Sequence, residues 1–185
     1  MRCSAGINAS LRAWLRSGGV IAYATESCFG LGCNPRNRAA VQRILRLKGR
    51  PQAKGLILIA ADLGQLQPYL APLDAVSRET AAHFWPGPTT LLLPRSRRCP
   101  PWISGRHDKV AVRITAHPDA VRACRMAGMA LVSTSANRTG ARAIKTAREC
   151  QRQFGSAIRI LSGRIGARRH PSTLIDPHTG LILRP

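Results

Sequence analysis

The chain has 185 residues, 44% hydrophobic and 4% aromatic, enough for one aliphatic core and short of the apolar run of about 18 residues that a membrane span needs. Lysine and arginine total 29 against eight aspartates and glutamates, a formal net charge of +21. That excess argues for polyanionic partners, whether nucleic acid, nucleotide or phosphate, although arginine- and alanine-rich composition would also scatter charge over a solvated surface.

Residues 8–17 are amphipathic, with Leu11, Trp14 and Leu15 at helical spacing and Gly18 and Gly19 ending the run. The segment is arginine-rich and acid-free, as a mitochondrial transit peptide would be. It leads straight into the apolar "VIAYA", however, and this predicts the first helix of the fold followed by a buried strand. No apolar core of a secretory signal precedes it.

The pattern then alternates. Residues 37–48 read as a helix with Val41, Ile44 and Leu45 on one face, and "LILIA" at 56–60 as a buried strand. Residues 62–70 and 74–85 read as helices, the second capped by Asp74, and "PGP" at 86–88 breaks the chain before the strand "TTLLLP". A polar loop, "RSRRCPPWISGRHD", separates it from the strand "KVAVRI". "HPDAVRACRMA" is a helix with Pro118 in its first turn. "MALVS" is a strand, 145–154 a helix, "AIRIL" a strand, and "STLID" and "LILR" complete the sheet. Strands alternating with helices predict a single-domain α/β fold over 1–185. The helix-free stretches near 89–114 and 173–184 predict antiparallel pairs, so the sheet is twisted, mixed parallel and antiparallel, with flanking helices.

Six cysteines, at 3, 28, 33, 99, 124 and 150, form no C-x-x-C pair and have no histidine cluster beside them. This predicts reduced thiols in a cytoplasmic protein, with neither a disulfide framework nor a metal site. Cys28 and Cys33 flank what reads as a glycine-rich turn, which leaves a redox role as an alternative.

Ligands of α/β sheets collect beyond strand ends, where loops and backbone donors converge. Four stretches qualify. In "ATESCFGLGCNP", Thr25, Glu26 and Ser27 follow a strand and precede glycines. "KGRPQAKGL" sets Lys48, Arg50 and Lys54 where a helix ends and a strand begins, either as a solvated turn or as an anion site. Arg113 stands inside an apolar alternation, opposite Val110 and Val112, so it needs an ion-pair partner or a ligand. "LVSTSANRTG" brings Ser133, Thr134, Ser135 and Asn137 out of a buried strand. No GxxxxGK[ST], H-E-x-x-H or G-x-S-x-G is present. Chemistry here would therefore proceed by cationic positioning, with little acid–base work by the protein.

Together these stretches resemble the YrdC-like family, the L-threonylcarbamoyladenylate synthases, in the short bacterial form. The likeness runs from "GGVIAYATESCFGLGCNP" through "LKGRPQAKGLILI", "FWPGPTTLLLP", "VAVRITAHP" and "LVSTSANRTG" to "HPSTLIDPHTGLILR". The family's K-x-R is matched by Lys48 and Arg50, its S-x-N by Ser135 and Asn137. The resemblance implies a large basic cavity and a nucleotidyltransferase reaction. L-threonine, bicarbonate and ATP, the last with Mg2+, give threonylcarbamoyl-AMP and pyrophosphate. A separate transferase complex then uses the product to modify tRNA beside the anticodon. It further implies that Lys48 and Arg50 act in catalysis as a phosphate clamp. Ser135, Asn137 and Arg184 would join them around ATP, while Thr25, Arg113, Ser133 and Ser172 would hold threonine. Ala24, Phe29 and Thr139 depart from the proline, tyrosine and serine common in the family. Two rivals share the same residues. One is a non-enzymatic RNA-binding module using the basic cavity, with tRNA as its partner. The other is a carbamoyl-transfer domain of the kind embedded in much longer hydrogenase-maturation proteins.

Overall fold

A computed structural model describes residues 2–184, without the side chains of 2–7 and of Lys54. Helix α1 (Arg2–Arg16) begins well before the predicted residue 8. Its Leu11 and Leu15 are wholly buried, and Trp14 Nε1 donates to the Val20 carbonyl at 3.1 Å, fixing the turn into the first strand. Strands β1 (Ile21–Ala24) and β2 (Phe29–Gly32) form an antiparallel hairpin. The predicted glycine-rich turn is thus strand. Gly32 is needed because the Tyr23 ring lies over it: a Cβ there would stand 2.8 Å from Tyr23 Cε1 and 2.9 Å from the Val132 carbonyl oxygen.

Helix α2 (Arg38–Lys48) is capped by the Asn37 side chain and closes on Gly49 in the left-handed conformation. Strand β3 (Ile57–Ala60) follows. The predicted helix 62–70 is one α turn, α3 (Leu63–Leu66), continued as a 3-10 turn over Gln67–Tyr69, where Pro68 removes a backbone donor. Helix α4 (Ala75–Phe84) has the expected Asp74 cap, and β4 (Thr89–Pro94) comes next. The segment read as a polar loop contains a short helix, α5 (Pro101–Ser104), that buries Ile103. Strand β5 (Lys109–Ile114), helix α6 (Pro118–Ala127) and strand β6 (Leu131–Ser135) match the reading closely. Helix α7 (Ala147–Phe154) starts two residues late, because Thr146 and Glu149 form a capping box. Strands β7 (Arg159–Ile160), β8 (Thr173–Ile175) and β9 (Ile182–Arg184) end the chain.

Among the described residues the strands form one nine-stranded sheet, ordered β7-β1-β2-β6-β3-β5-β4-β8-β9. The β1–β7, β3–β5 and β4–β8 pairs are parallel and the others antiparallel. The sheet is mixed, as the sequence predicts. Period-two alternation builds two cores. Leu11 and Leu15 of α1 and Ala120, Ala123 and Cys124 of α6 pack on Ile21, Tyr23, Ile59 and Leu131. The opposite residues of the same strands, Ala22, Leu58 and Val132, meet α2 and α7 through Val41, Ile44 and Phe154. Arg113 pairs with Ile59, and Ser133 with Ile57, so both side chains share the α1–α6 face of the sheet. No helix among the described residues is long and apolar enough to cross a membrane. The five described cysteines, 28, 33, 99, 124 and 150, are free thiols; the Cys3 side chain lies outside the described residues. Burial pushes the Cys33 thiol well above the ordinary range, which suits a core residue rather than a redox centre.

Candidate active site

A cavity of about 330 Å³ opens beside the sheet on the face of Arg113 and Ser133. The β1–β2 turn, the end of β6 and the segments around 141–145 and 168–172 wall it. Eight of the nine candidate residues line it: Thr25, Arg50, Arg113, Ser133, Ser135, Asn137, Ser172 and Arg184. Lys48, the ninth, sits behind the wall and is buried.

Each position follows from local geometry. The Thr25 hydroxyl donates to the Cys28 carbonyl at 2.7 Å and closes the β1–β2 turn. Tyr23 reaches across β2 and donates to Ser133 Oγ at 2.8 Å, leaving the serine proton free for another acceptor. Gly30 lies opposite Ser135 in the register, so no side chain from β2 covers that hydroxyl. Ser172 Oγ lies 2.8 Å from Thr90 Oγ1 and 2.9 Å from Arg184 Nη2, and Arg184 Nε donates to the Ser172 carbonyl at 2.9 Å. The C-terminal strand is thereby tied to the cavity wall.

The K-x-R pair divides its work. Lys48 Nζ donates to the carbonyls of Ser135 and Asn137. The family resemblance implied a lysine side chain on phosphate; the ammonium here holds the backbone of the S-x-N turn. Burial, and next the Arg50 charge, lower its pKa to about 8. Arg50 does face the cavity. Its Nη2 donates to the Gly55 carbonyl at 3.2 Å while Nε has no partner, and burial depresses its pKa. The Lys54 side chain, third cation of that stretch, lies outside the described residues. Asn137 Nδ2 donates to the Arg138 carbonyl at 3.0 Å, and its buried Oδ1 has no partner. Arg113 Nη1 meets Glu26 Oε2 at 3.2 Å.

Sequence reasoning missed part of the wall. Lys145, Arg168, Arg169 and His170 also line the cavity. Lys145 had been absorbed into a helix that begins after it; its Nζ donates to the Ser27 carbonyl at 3.1 Å. The capping box just downstream was the available signal. Arg168 is braced by the carbonyls of His170 and Pro171 and by Thr173 Oγ1. Six cationic side chains thus line the cavity against one carboxylate, Glu26. Guanidinium forks gathered on one cavity wall, with Arg113 buried and Arg50, Arg168 and Arg184 half-buried, suit planar, multiply charged oxyanions.

Known proteins share both sequence and architecture. A threonylcarbamoyl-AMP synthase of Thiobacillus denitrificans is 55% identical over 179 residues, covering 97% of this chain and 95% of the relative. One of Methylobacillus flagellatus is 56% identical over 176 residues, covering 95% and 98%. The Sua5 structure from P. abyssi solved with L-threonine superposes with a TM-score of 0.84 at 33% identity, covering 94% of this chain and 51% of that one. The chain therefore spans about half the length of that Sua5, and nearly the whole of the two bacterial relatives. The Sua5, YciO and YrdC family model, described as telomere recombination, matches residues 13–185, and the chain belongs to that family.

Proposed function

We propose that this chain is a threonylcarbamoyl-AMP synthase, making L-threonylcarbamoyladenylate and pyrophosphate from L-threonine, bicarbonate and ATP. Besides the identity of the bacterial relatives, one observation supports the reading most. The residues matched to threonine and, Lys48 excepted, those matched to nucleotide line a single cavity. Thr25, Arg113, Ser133 and Ser172 receive threonine. Arg50, Ser135, Asn137 and Arg184 receive the nucleotide, and Lys48 holds the turn that carries two of them.

The chemistry asks for charge neutralisation and alignment. The deprotonated threonine amine forms a C–N bond to the bicarbonate carbon with loss of water, giving a carbamate whose oxygen attacks the α-phosphorus of ATP while pyrophosphate leaves from the opposite side. Nucleophile and target are both anionic, so the barrier falls when fixed cations offset the approaching charges and hold them in line. ATP brings Mg2+ as part of the substrate. The product passes to a separate transferase, which places the threonylcarbamoyl group on tRNA beside the anticodon, and the reaction runs in the cytoplasm.

The test is incubation of the protein with ATP while threonine and bicarbonate are added singly and together. Pyrophosphate and the adenylate should form only with both. Release indifferent to threonine overturns the reading. The net charge of +21 favours the RNA-module rival. Tight tRNA binding that ATP leaves untouched, in a protein without pyrophosphate release, would establish that rival instead.

A further inference from the structure

Glu26 is the one carboxylate among the described residues lining the cavity. Its place there is built. The Arg168 N–H donates to the Glu26 carbonyl at 3.0 Å, and Gly166 N–H donates to the Thr25 carbonyl at 3.0 Å. The segment that carries Arg168 to Ser172 is thus pinned onto the β1–β2 turn. Thr115 Oγ1 donates to Glu26 Oε1 at 2.7 Å and fixes the carboxylate plane.

The second oxygen is engaged differently. Glu26 Oε2 stands 3.2 Å from Arg113 Nη1, with side-chain exposures of 15% and 8%. The contact lacks hydrogen-bond alignment: Glu26 Oε2 and Arg113 Nε are both buried atoms without a hydrogen-bond partner. A purely structural buried pair is expected to satisfy its own donors and acceptors, because desolvation is otherwise uncompensated. This pair balances charge and keeps unspent capacity on each side, an acceptor on Glu26 and a donor on Arg113. A carboxylate is also misplaced for nucleotide phosphates, which it would repel. It does suit a cation carried by a substrate that also bears an anion.

An α-amino acid is such a substrate, with ammonium and carboxylate attached to one carbon. We propose that Glu26 binds the ammonium of the amino-acid substrate, beside Arg113 on its carboxylate, so that the ion pair is a receptor for the zwitterionic head. The proposal rests on the function proposed above. It assigns Glu26 a substrate contact and explains why one carboxylate stands among six cations. When threonine docks, its two charges slot against the pair with opposite polarity.

The experiment compares binding of L-threonine with binding of (R)-3-hydroxybutyrate, which keeps the carboxylate and hydroxyl and lacks the amine. Calorimetry is run on the parent, Glu26→Gln and Glu26→Asp, with ATP affinity measured alongside as a check on the fold. The parent should prefer threonine by about tenfold or more, the scale of one hydrogen bond between charged groups. Glu26→Gln should weaken threonine until the preference falls to about twofold, with ATP affinity retained. Glu26→Asp, which keeps the charge, should restore a clear preference. A merely structural role would weaken both ligands alike and leave their ratio unchanged, and that outcome overturns the proposal, as does a parent without preference. Threonine- and bicarbonate-dependent pyrophosphate release by the parent is scored separately. Its absence overturns the functional reading, whereas its presence with an unchanged ratio overturns only the role of Glu26.

Discussion

The Lys48 ammonium donates to the Asn137 carbonyl at 2.6 Å, joining residues 89 positions apart. The tie is reciprocal. The Lys48 carbonyl accepts from Thr139 N–H at 2.8 Å and from Thr139 Oγ1 at 2.9 Å. The end of α2 and the turn after β6 are therefore one unit, and K-x-R and S-x-N are two halves of it. Threonine at 139, where serine is common in the family, supplies the same hydroxyl. Lys48→Ala should consequently lose stability as well as turnover. The part-buried Asn137 carbonyl loses its donor, at about 1–3 kcal/mol for an unsatisfied group, while the Ser135 carbonyl loses the ammonium and keeps the Asn137 N–H. Urea unfolding should show a clearly lower midpoint, and a parental midpoint contradicts the brace.

The same ammonium gives a pH signature. Its pKa falls from 10.5 to about 8 in the folded protein, through burial first and the Arg50 charge second. Between those values the unfolded chain binds the extra proton, so stability rises with pH across that window. Below pH 8 both states are protonated and the burial penalty is fully present. Relative to Lys48→Met, which does not titrate, the parent should gain melting temperature from pH 8 to 10 and show a constant difference from pH 6 to 7. A difference that stays flat up to pH 10 refutes the assignment.

Arg50 should behave oppositely to Lys48. It faces the cavity, and its unpartnered Nε supports little of the core. Arg50→Ala should cut pyrophosphate release ~100-fold, roughly 3 kcal/mol of lost transition-state stabilisation. Its melting curve should stay close to the parent, within about 0.5 kcal/mol. Arg50→Lys should also fail, because a point charge cannot donate to Gly55 and to a phosphate through one planar fork. Near-parental turnover of Arg50→Ala would remove it from the nucleotide site.

The sheet and most helices were legible because period-two and period-3.6 patterns survive in "VIAYA", "LILIA" and "KVAVRI" and in residues 37–48. What escaped was set by contacts distant in sequence. "FGLG" reads as a turn until the Tyr23 ring is seen above it. Helix α5 has too few residues to show a period. In the candidate site, eight of the nine residues named from the family resemblance met in one cavity, but direction was invisible. Nothing in "KGR" says that the lysine turns inward to carbonyls while the arginine turns to the cavity. Glu26 was noticed among polar neighbours, and its partner Arg113 stands 87 residues away on β5, so only the folded chain joins them.

The glycines of β2 offer a graded check on that hairpin. A Cβ at Gly32 would stand within 3 Å of the Tyr23 ring and of the Val132 backbone, whereas at Gly30 the nearest atoms are 3.4 Å away. Gly32→Ala forces the ring or the strand to move and should cost about 1–3 kcal/mol, the usual scale of overpacking. Gly30→Ala should be milder in stability and should weaken ligand binding, since it faces Ser135. Thermal melts of the two variants give the ranking, and the reverse order would show that the ring does not pack there.

The arginines of the cavity predict how the fold responds to anions. Burial, then the charges of Arg113 and Arg50, depress the pKa of Arg184. Three guanidiniums therefore repel one another whenever no anion lies between them, and a multiply charged anion relieves that repulsion in the folded state only. Pyrophosphate, as product, should raise the melting temperature by mass action, about 2.7 kcal/mol at a hundredfold excess over its Kd. For a chain of this size that corresponds to roughly 5–10 °C. Sodium chloride at equal ionic strength should do much less, because screening acts weakly on charges inside a cavity wall. Arg184→Ala loses its bonds to Ser172 but also one repelling charge, so its unliganded melting temperature should fall only modestly while its pyrophosphate response shrinks. If pyrophosphate stabilises Arg184→Ala as much as the parent, the anion lies elsewhere. If it stabilises neither beyond the chloride control, the three arginines do not form an anion site.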